Sequence, residues 1–255
     1  MATTIKATLK IFHMLIGVVH LLPTGSPQRL EHAVRSAKRL EEAGFDAVIV
    51  ENYYDMPFKP KADFEAAVAM AVAAREVARE VSLPVGINLL RNACVKASII
   101  ARHVGATFIR CNAYTDIVLS ESGILTPQAP YIKGVKVLAD VHVKHGESIY
   151  PRTLAEAVEA ASTRAAPAAI VVTGRKTGEA PDPVDLATAR AYTDLPVLVG
   201  SGICFQTLPL LKIADGAIVG TCVKDGAEID PEKARRLVRE AKAVLKPKRP
   251  LQLKS

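Results

Sequence analysis

Short apolar runs alternate with helix-period segments along almost the whole chain. LIGVVH (15–20), DAVIVEN (46–52), PVGINLL (84–90), TFIRCN (107–112), VKVLADVHV (135–143), AAIVVTG (168–174), PVLVGSG (196–202) and GAIVGT (216–221) each read as a buried strand bounded by turn residues. Between them, Leu30, Ala33, Val34, Ala37 and Leu40 share one helix face ahead of Gly44, a C-terminal capping residue. Thr153 with Glu156 spells a capping box, and Asp182-Pro183 and Asp230-Pro231 each pair an N-cap with a first-turn proline. Eight such units in 255 residues predict an α/β fold, a single (β/α)8 TIM barrel over 1–245 with 246–255 as a tail. A doubly wound open sheet is the alternative, but HLLPTGSPQ after the first strand lacks its GxGxxG turn. One unit is irregular: between Asn112 and Val135, Pro127 and Pro130 leave room for little more than a short helix, which predicts a long loop at the barrel mouth.

Period-two alternation then selects the residues that face the mouth. In ADVHVKH (139–145), Asp140, His142 and Lys144 share one face of a strand and Val141 and Val143 the other. Active sites of this fold lie at the C-terminal strand ends, so the valines are expected against helices and the three polar groups in the mouth. His20, Glu51 with Asn52, Asn88 followed by Arg91 and Asn92, and Arg110 with Asn112 end other strands in the same manner. The last two strands end instead in Gly200-Ser201-Gly202 and Gly220-Thr221, small turns whose N–H groups can approach an anion where barrels often hold phosphate. The loop TGRKTGEAPD (173–182) offers Thr173 and Gly174 as ligand contacts and reads as a wrap around a phosphate or a lid; it is not a P-loop.

Composition changes this picture little. The best apolar run, Met14 to Leu22, is well short of the roughly 20 residues of a membrane span, and Met1 to Phe12 lacks a signal-peptide layout, so a cytoplasmic protein is expected. The net charge of +7 resides in residues 231–255, where nine Lys or Arg meet two Glu. No aromatics are interleaved there for base stacking, so nucleic acid is not the expected partner. Cys94, Cys111, Cys204 and Cys222 show no CxxC spacing and are expected reduced and buried. No cofactor is predicted; a divalent metal on His20, Glu51 and Asp140 is an alternative without a spacing signature. His13, His32 and His103 read as structural, and a homo-oligomer is left open.

The segments LIGVVHL with GSP, AGFDAVIVENYYDMPF, PVGINLLRN, FIRCN, LADVHVKH, VVTGRKTGEAPD, PVLVGSGI and DGAIVGTCVK, in this order over about residues 14–225, resemble the BtpA (BtpA/SgcQ) family. The resemblance implies a phosphate-binding-type barrel similar to the ribulose-phosphate-binding group. The family takes its name from a role in accumulating photosystem I, which implies a non-catalytic assembly or regulatory factor as one alternative. The family pattern carries a longer basic helical segment after strand four, where this chain has TPQAPYIKG. Residue chemistry favours an enzyme acting on a small phosphorylated metabolite, a sugar or nucleotide phosphate. In that reading Gly200, Ser201, Gly202, Gly220 and Thr221 hold the phosphate, while Asp140, His142 and Glu51 move protons. His20, Asn88, Arg110, Asn112, Lys144, Thr173 and Gly174 are then the expected substrate contacts. Isomerisation, carbon–carbon lysis and glycosyl-bond chemistry all fit such a set.

Overall fold

The computed structural model describes residues 13–142, 145–150, 152–174 and 176–245. Val143, Lys144, Arg175 of the 173–182 loop and the 246–255 tail lie outside the described residues. Eight parallel strands close into a barrel: β1 (Met14–His20), β2 (Ala47–Glu51), β3 (Val85–Asn88), β4 (Phe108–Cys111), β5 (Lys136–Val141), β6 (Ala169–Val172), β7 (Val197–Val199) and β8 (Gly216–Val219), with β8 pairing back onto β1. The outer layer carries α1 (Arg29–Glu42), α2 (Phe64–Glu80), α3 (Cys94–Val104), α4 (Leu154–Arg164), α5 (Pro183–Ala191) and α6 (Pro231–Val244), with a 3-10 helix at Phe205–Lys212 after β7. The predicted caps form. Thr153 and Glu156 make the reciprocal capping box, Asp182 accepts from the Val184 N–H, and Asp230 accepts from the N–H groups of Glu232 and Lys233.

Two apolar clusters divide the strand residues by parity. Met14, Ile16, Val18, Ala47, Ile49, Phe108, Leu138, Ala169, Val171, Leu198 and Ile218 fill the barrel interior. Their alternate neighbours, such as Leu15, Val48, Ile109, Val141 and Val199, pack with Leu40, Met70, Val158 and Leu237 in the layer beneath the helices. Gly86 belongs to the interior set because a Cβ there would sit 2.1 Å from the Phe108 ring, so its bare backbone makes room for the largest interior side chain. Following each interior row toward the C-terminal end leads from apolar to polar: Val18 to His20, Ile49 to Glu51, Gly86 to Asn88, Phe108 to Arg110 and Asn112, Leu138 to Asp140, Val171 to Thr173.

Four sequence expectations need correction. The fifth strand stops at Val141 rather than Val143, and His142 takes a left-handed φ of 48° with its side chain exposed, so the in-strand alternation ends before it. The cysteines are not reduced: Cys94 pairs with Cys111 and Cys204 with Cys222, each at a Cα separation of 5.4 Å. Each bond joins two adjacent units of the barrel, which linear spacing does not display. The buried face of α1 is Arg29, His32, Ala33, Ser36, Ala37 and Leu40, leaving Leu30 39% exposed; on that face His32 meets the Ala227 carbonyl at 3.0 Å, while Arg29 donates to the Leu22 carbonyl and to Thr24. In the irregular unit the chain forms more than a loop. Val118–Ser120 pairs antiparallel with Gly123–Leu125 on one side and Gly146–Ser148 on the other, and a 3-10 turn lies at Ala129–Tyr131.

Candidate functional site

The polar ends of the interior rows meet at the C-terminal face. The best-defined contact there is between Arg110 and Asp140, 3% and 5% exposed: Nε donates to Oδ1 at 2.9 Å and Nη2 to Oδ2 at 3.1 Å. Asn112 Nδ2 donates to the same Oδ2 at 2.7 Å, and Arg110 Nη1 donates to the Gly200 carbonyl at 3.3 Å. Burial opposes the Arg110 charge, but Asp140 and Glu51 more than offset it and hold its pKa above the usual arginine value. Gly200 is required for this arrangement. A Cβ on it would lie 2.4 Å from Val171, 2.7 Å from Thr173 and 3.1 Å from Arg110 Nη2.

Glu51 sits across the mouth, 7% exposed, and accepts a 2.7 Å hydrogen bond from Asn88 Nδ2. Its neighbour Tyr53 stacks on His20 with ring centroids 4.2 Å apart, and Tyr54 meets both rings edge-on. Burial, then the Glu51 and Tyr54 charges, push the Tyr53 hydroxyl above its ordinary pKa, which keeps it a proton donor near neutrality. Arg91 is 3% exposed and feels Asp140, Arg110, Glu51 and Glu121; burial lowers its pKa. Lys224, just beyond β8, is held to about 7 by burial, with Glu51 opposing that shift.

Part of this set lines two chambers. A pocket of about 40 Å³ is bounded by His20, Glu51, Tyr53, Arg110, the turns at 200–202 and 220–221, and Thr177-Gly178. A wider cavity of about 890 Å³ is bounded by Asn112, Asp140, His142, Thr173, Gly174 and the short strands Val118–Ser120 and Gly146–Ser148. Thus Glu51 and the glycine turns come together on one side, Asp140 and His142 border the other, and the Arg110–Asp140 pair stands between them. Asp140 and His142 are not hydrogen-bonded partners: both carboxylate oxygens of Asp140 accept from Arg110 or Asn112. Thr173 Oγ1 is buried with no protein partner among the described residues.

Several strand-end groups serve the scaffold. Asn52 Oδ1 accepts from the Leu90 N–H at 2.7 Å, and Asn92 Oδ1 accepts from the Ala113 N–H at 2.9 Å, lacing neighbouring loops together. Ser201 Oγ donates to the Glu179 carbonyl at 2.7 Å and accepts from the Gly174 N–H at 3.2 Å, so the 173–182 loop is tied onto the first glycine turn. The Cys204–Cys222 bond links the segments that follow the two turns. His20, Glu51 and Asp140 do not converge into a metal site; among the described residues no three His, Cys, Asp or Glu side chains are grouped to hold an ion. Tyr53 and Lys224 were not among the expected site residues, and Arg91 was read as a strand-end group without a role in the site. Arg91 lies three residues past Asn88 and Tyr53 two past Glu51, so nearness to a strand end was the available signal for them; Lys224 lies beyond the 3-10 turn that follows β8 and carried no such signal.

No helix among the described residues is long and apolar enough to cross a membrane. An uncharacterized protein of Pyrococcus furiosus is 44% identical over 248 residues, covering 88% of this chain and 93% of the relative. The photosystem I biogenesis protein BtpA of Synechocystis sp. is 34% identical over 242 residues, covering 88% of this chain and 84% of the relative. Thiamine phosphate pyrophosphorylase from Pyrococcus furiosus superposes with a TM-score of 0.60 at 18% identity, covering 92% of this chain and 98% of that one. The (S)-3-O-geranylgeranylglyceryl phosphate synthase from Thermoplasma acidophilum, solved with sn-glycerol-1-phosphate, superposes at 0.60 with 17% identity, covering 91% and 94%. These two structures share the TIM-barrel fold with it. The BtpA family model matches residues 12–243, and with relatives at these identities the chain belongs to the BtpA family.

Proposed function

We propose that the chain is an enzyme that binds a small phosphorylated metabolite and transforms it by acid/base chemistry. One observation carries this reading: the turns after β7 and β8 line a single pocket with Arg110, Glu51, His20 and Tyr53. A phosphate there would meet the backbone of Gly200, Ser201, Gly202, Gly220 and Thr221, with Arg110 supplying a fixed positive charge. The Thermoplasma neighbour of the same fold, whose substrate is sn-glycerol-1-phosphate, lends fold-level support.

Glu51 is the proton-transfer group on the phosphate side, and Tyr53, its ring stacked on His20, is the donor beside it. Asp140 acts as a positioning residue, because its oxygens are committed to holding Arg110. His142 lies in the wider cavity and serves the far end of the substrate, where Asn112, Thr173 and Gly174 supply contacts. The pocket is narrow, about 40 Å³, and Thr177-Gly178 border it beside the turns, so these two residues are the segment that would move aside for a bound phosphate.

A second reading has its own observation. The short strands at the mouth expose Leu119 (56%) and Ile124 (57%), with Ile149 and Tyr150 nearby, which suits a contact surface of the kind the Synechocystis relative's biogenesis role implies. Calorimetric titration with inorganic phosphate separates the two. The enzyme reading expects saturable binding that Ser201→Asp weakens at least tenfold, since a carboxylate beside the turn repels the anion and breaks the tie to Glu179. Binding absent from the unmodified chain, or unchanged in Ser201→Asp, favours the assembly role.

A further inference from the structure

α2 carries an apolar strip in addition to the face that packs on the barrel. Met70, Ala73, Ala74 and Val77 are buried on the inward side. Phe64, Val68 and Val72 follow one another at four-residue spacing on the outward side and are exposed, Phe64 at 81%. α1 packs beside α2 and runs the same way, because each connects parallel strands. Lys38 of α1 pairs with Glu80 of α2 at 2.6 Å, and eight residues back on each helix come Leu30 and Val72, both exposed. The apolar strip therefore spreads from α2 onto α1. Between the two helices lies a groove of about 690 Å³, in which Leu30 and Val34 are set among Glu31, Lys38, Glu76 and Glu80.

The charges on α2 follow a self-complementary order. Glu76 pairs with Arg79 at 3.5 Å and Glu80 with Lys38, whereas Glu65 and Arg75, both exposed, form no ion pair among the described residues. Glu65 and Arg75 lie five residues before and five after Met70, and Val68 and Val72 lie two before and two after. A second copy of α2 laid antiparallel across the first, with a two-fold axis at the level of Met70, sets Val68 on Val72 and Glu65 on Arg75, each contact made twice. The same axis brings Phe64 of either copy to the level of Glu76 in the other, at the groove that holds Leu30 and Val34. Sliding the pair until Val68 meets Val68 would leave Glu65 opposite Ala71 and remove the charge contact.

We propose that this α1–α2 face is an interface with a second copy of the chain, with Phe64 as its anchor. Exposed aromatic, receiving groove and both members of an ion pair lie on one surface, which is what a two-fold contact needs. Charges of both signs suit a second copy better than a polyanion or an anionic membrane. The face lies on the outer wall of the barrel, and the proposal does not depend on the phosphate reading.

Sedimentation of the full chain over a concentration series tests it. A reversible dimer is expected, formed at about 10–100 µM or below. Phe64→Ala should weaken association about a hundredfold, and Glu65→Arg or Arg75→Glu about tenfold each. Combining the two charge exchanges should recover most of that loss. These side chains are exposed, so thermal unfolding should change little; should Phe64→Ala fail to fold, the charge exchange decides. Leu119→Ala, in the exposed apolar group at the mouth, should leave association as it is. A monomer across the series overturns the proposal, as does a dimer that withstands both Phe64→Ala and the single charge exchanges, or one that Leu119→Ala abolishes. A chain that stays monomeric and binds anionic vesicles through Phe64 would give the face to a membrane and overturn it as well.

Discussion

The two sides of the barrel mouth are built on opposite plans. On the β7, β8 and β1 side, small turns are clamped by main-chain ties, by Ser201 between Gly174 and Glu179, and by the Cys204–Cys222 bond, leaving a pocket of about 40 Å³. On the β4, β5 and β6 side, the usual crossover helix is replaced by short strands, and the cavity opens to about 890 Å³ with Asp116, Glu121, Glu147 and Asp185 around it. A tight glycine-lined wall suits one recurring anionic group; a wide wall with varied side chains suits the part of a ligand that differs between substrates. Arg110 lines the tight side and Asp140 the wide one, which makes their buried pair the hinge of the design.

Substitutions can break that division, and the largest effects belong to the layer beneath it. Val141→Asp would place an unpaired carboxylate in the apolar layer under the helices, at a cost of several kcal/mol against a total stability of roughly 5–15 kcal/mol, so loss of cooperative thermal unfolding is expected. Asp140→Ala is next. It strands Arg110 as a buried charge and should cost about 3–5 kcal/mol, read as a lower denaturation midpoint at unchanged slope.

Reducing Cys204–Cys222, or Cys204→Ser, releases a loop closed over 18 residues and should cost about 3 kcal/mol, and it should also weaken phosphate binding. The same treatment of Cys94–Cys111, closed over 17 residues, should cost about as much while sparing phosphate affinity. Unequal losses in affinity would confirm that the clamp belongs to one side of the mouth; equal losses would dissolve the comparison.

A subtler effect comes from Lys224. Its folded pKa of about 7 lies below the ordinary 10.5, so below pH 7 the folded state carries a charge it disfavours relative to the unfolded chain. That penalty is relieved as pH rises from 7 toward 10.5, because the folded state sheds its proton first. Lys224→Met should therefore stabilise by about 1–3 kcal/mol near pH 6 and by progressively less toward pH 10, compared by thermal unfolding at matched ionic strength. The smallest stability change is expected for exposed His142→Asn, within about 0.5 kcal/mol, although turnover of any substrate identified should fall if His142 exchanges protons at the wide side.

Much of this plan was legible in the residues. All eight barrel strands lie where apolar runs were read, and the polar ends at His20, Glu51, Asn88, Arg110 and Asp140 follow from parity within each strand. Parity failed where the strand itself ended. Val141 and Val143 continue the alternation on paper, but His142 at φ 48° takes the chain out of the pleat, and side-chain pattern carries no mark of that turn. The disulfides were missed because pairing depends on two residues reaching the same level of adjacent units. Spacings of 17 and 18 acquire meaning only once strand and helix lengths are known. Asp140's commitment to Arg110 was equally hidden, since an acid near a histidine in sequence says nothing about which cation the next strand brings to it.

The most direct measurement is a crystal of the full chain soaked in inorganic phosphate. Phosphate density between the turns at Gly200 and Gly220, within reach of Arg110 and with Thr177-Gly178 displaced, is the predicted result. Density confined to the wider cavity or the outer surface, with those turns still covered at saturating phosphate, would contradict the assignment of the tight side as the anion site.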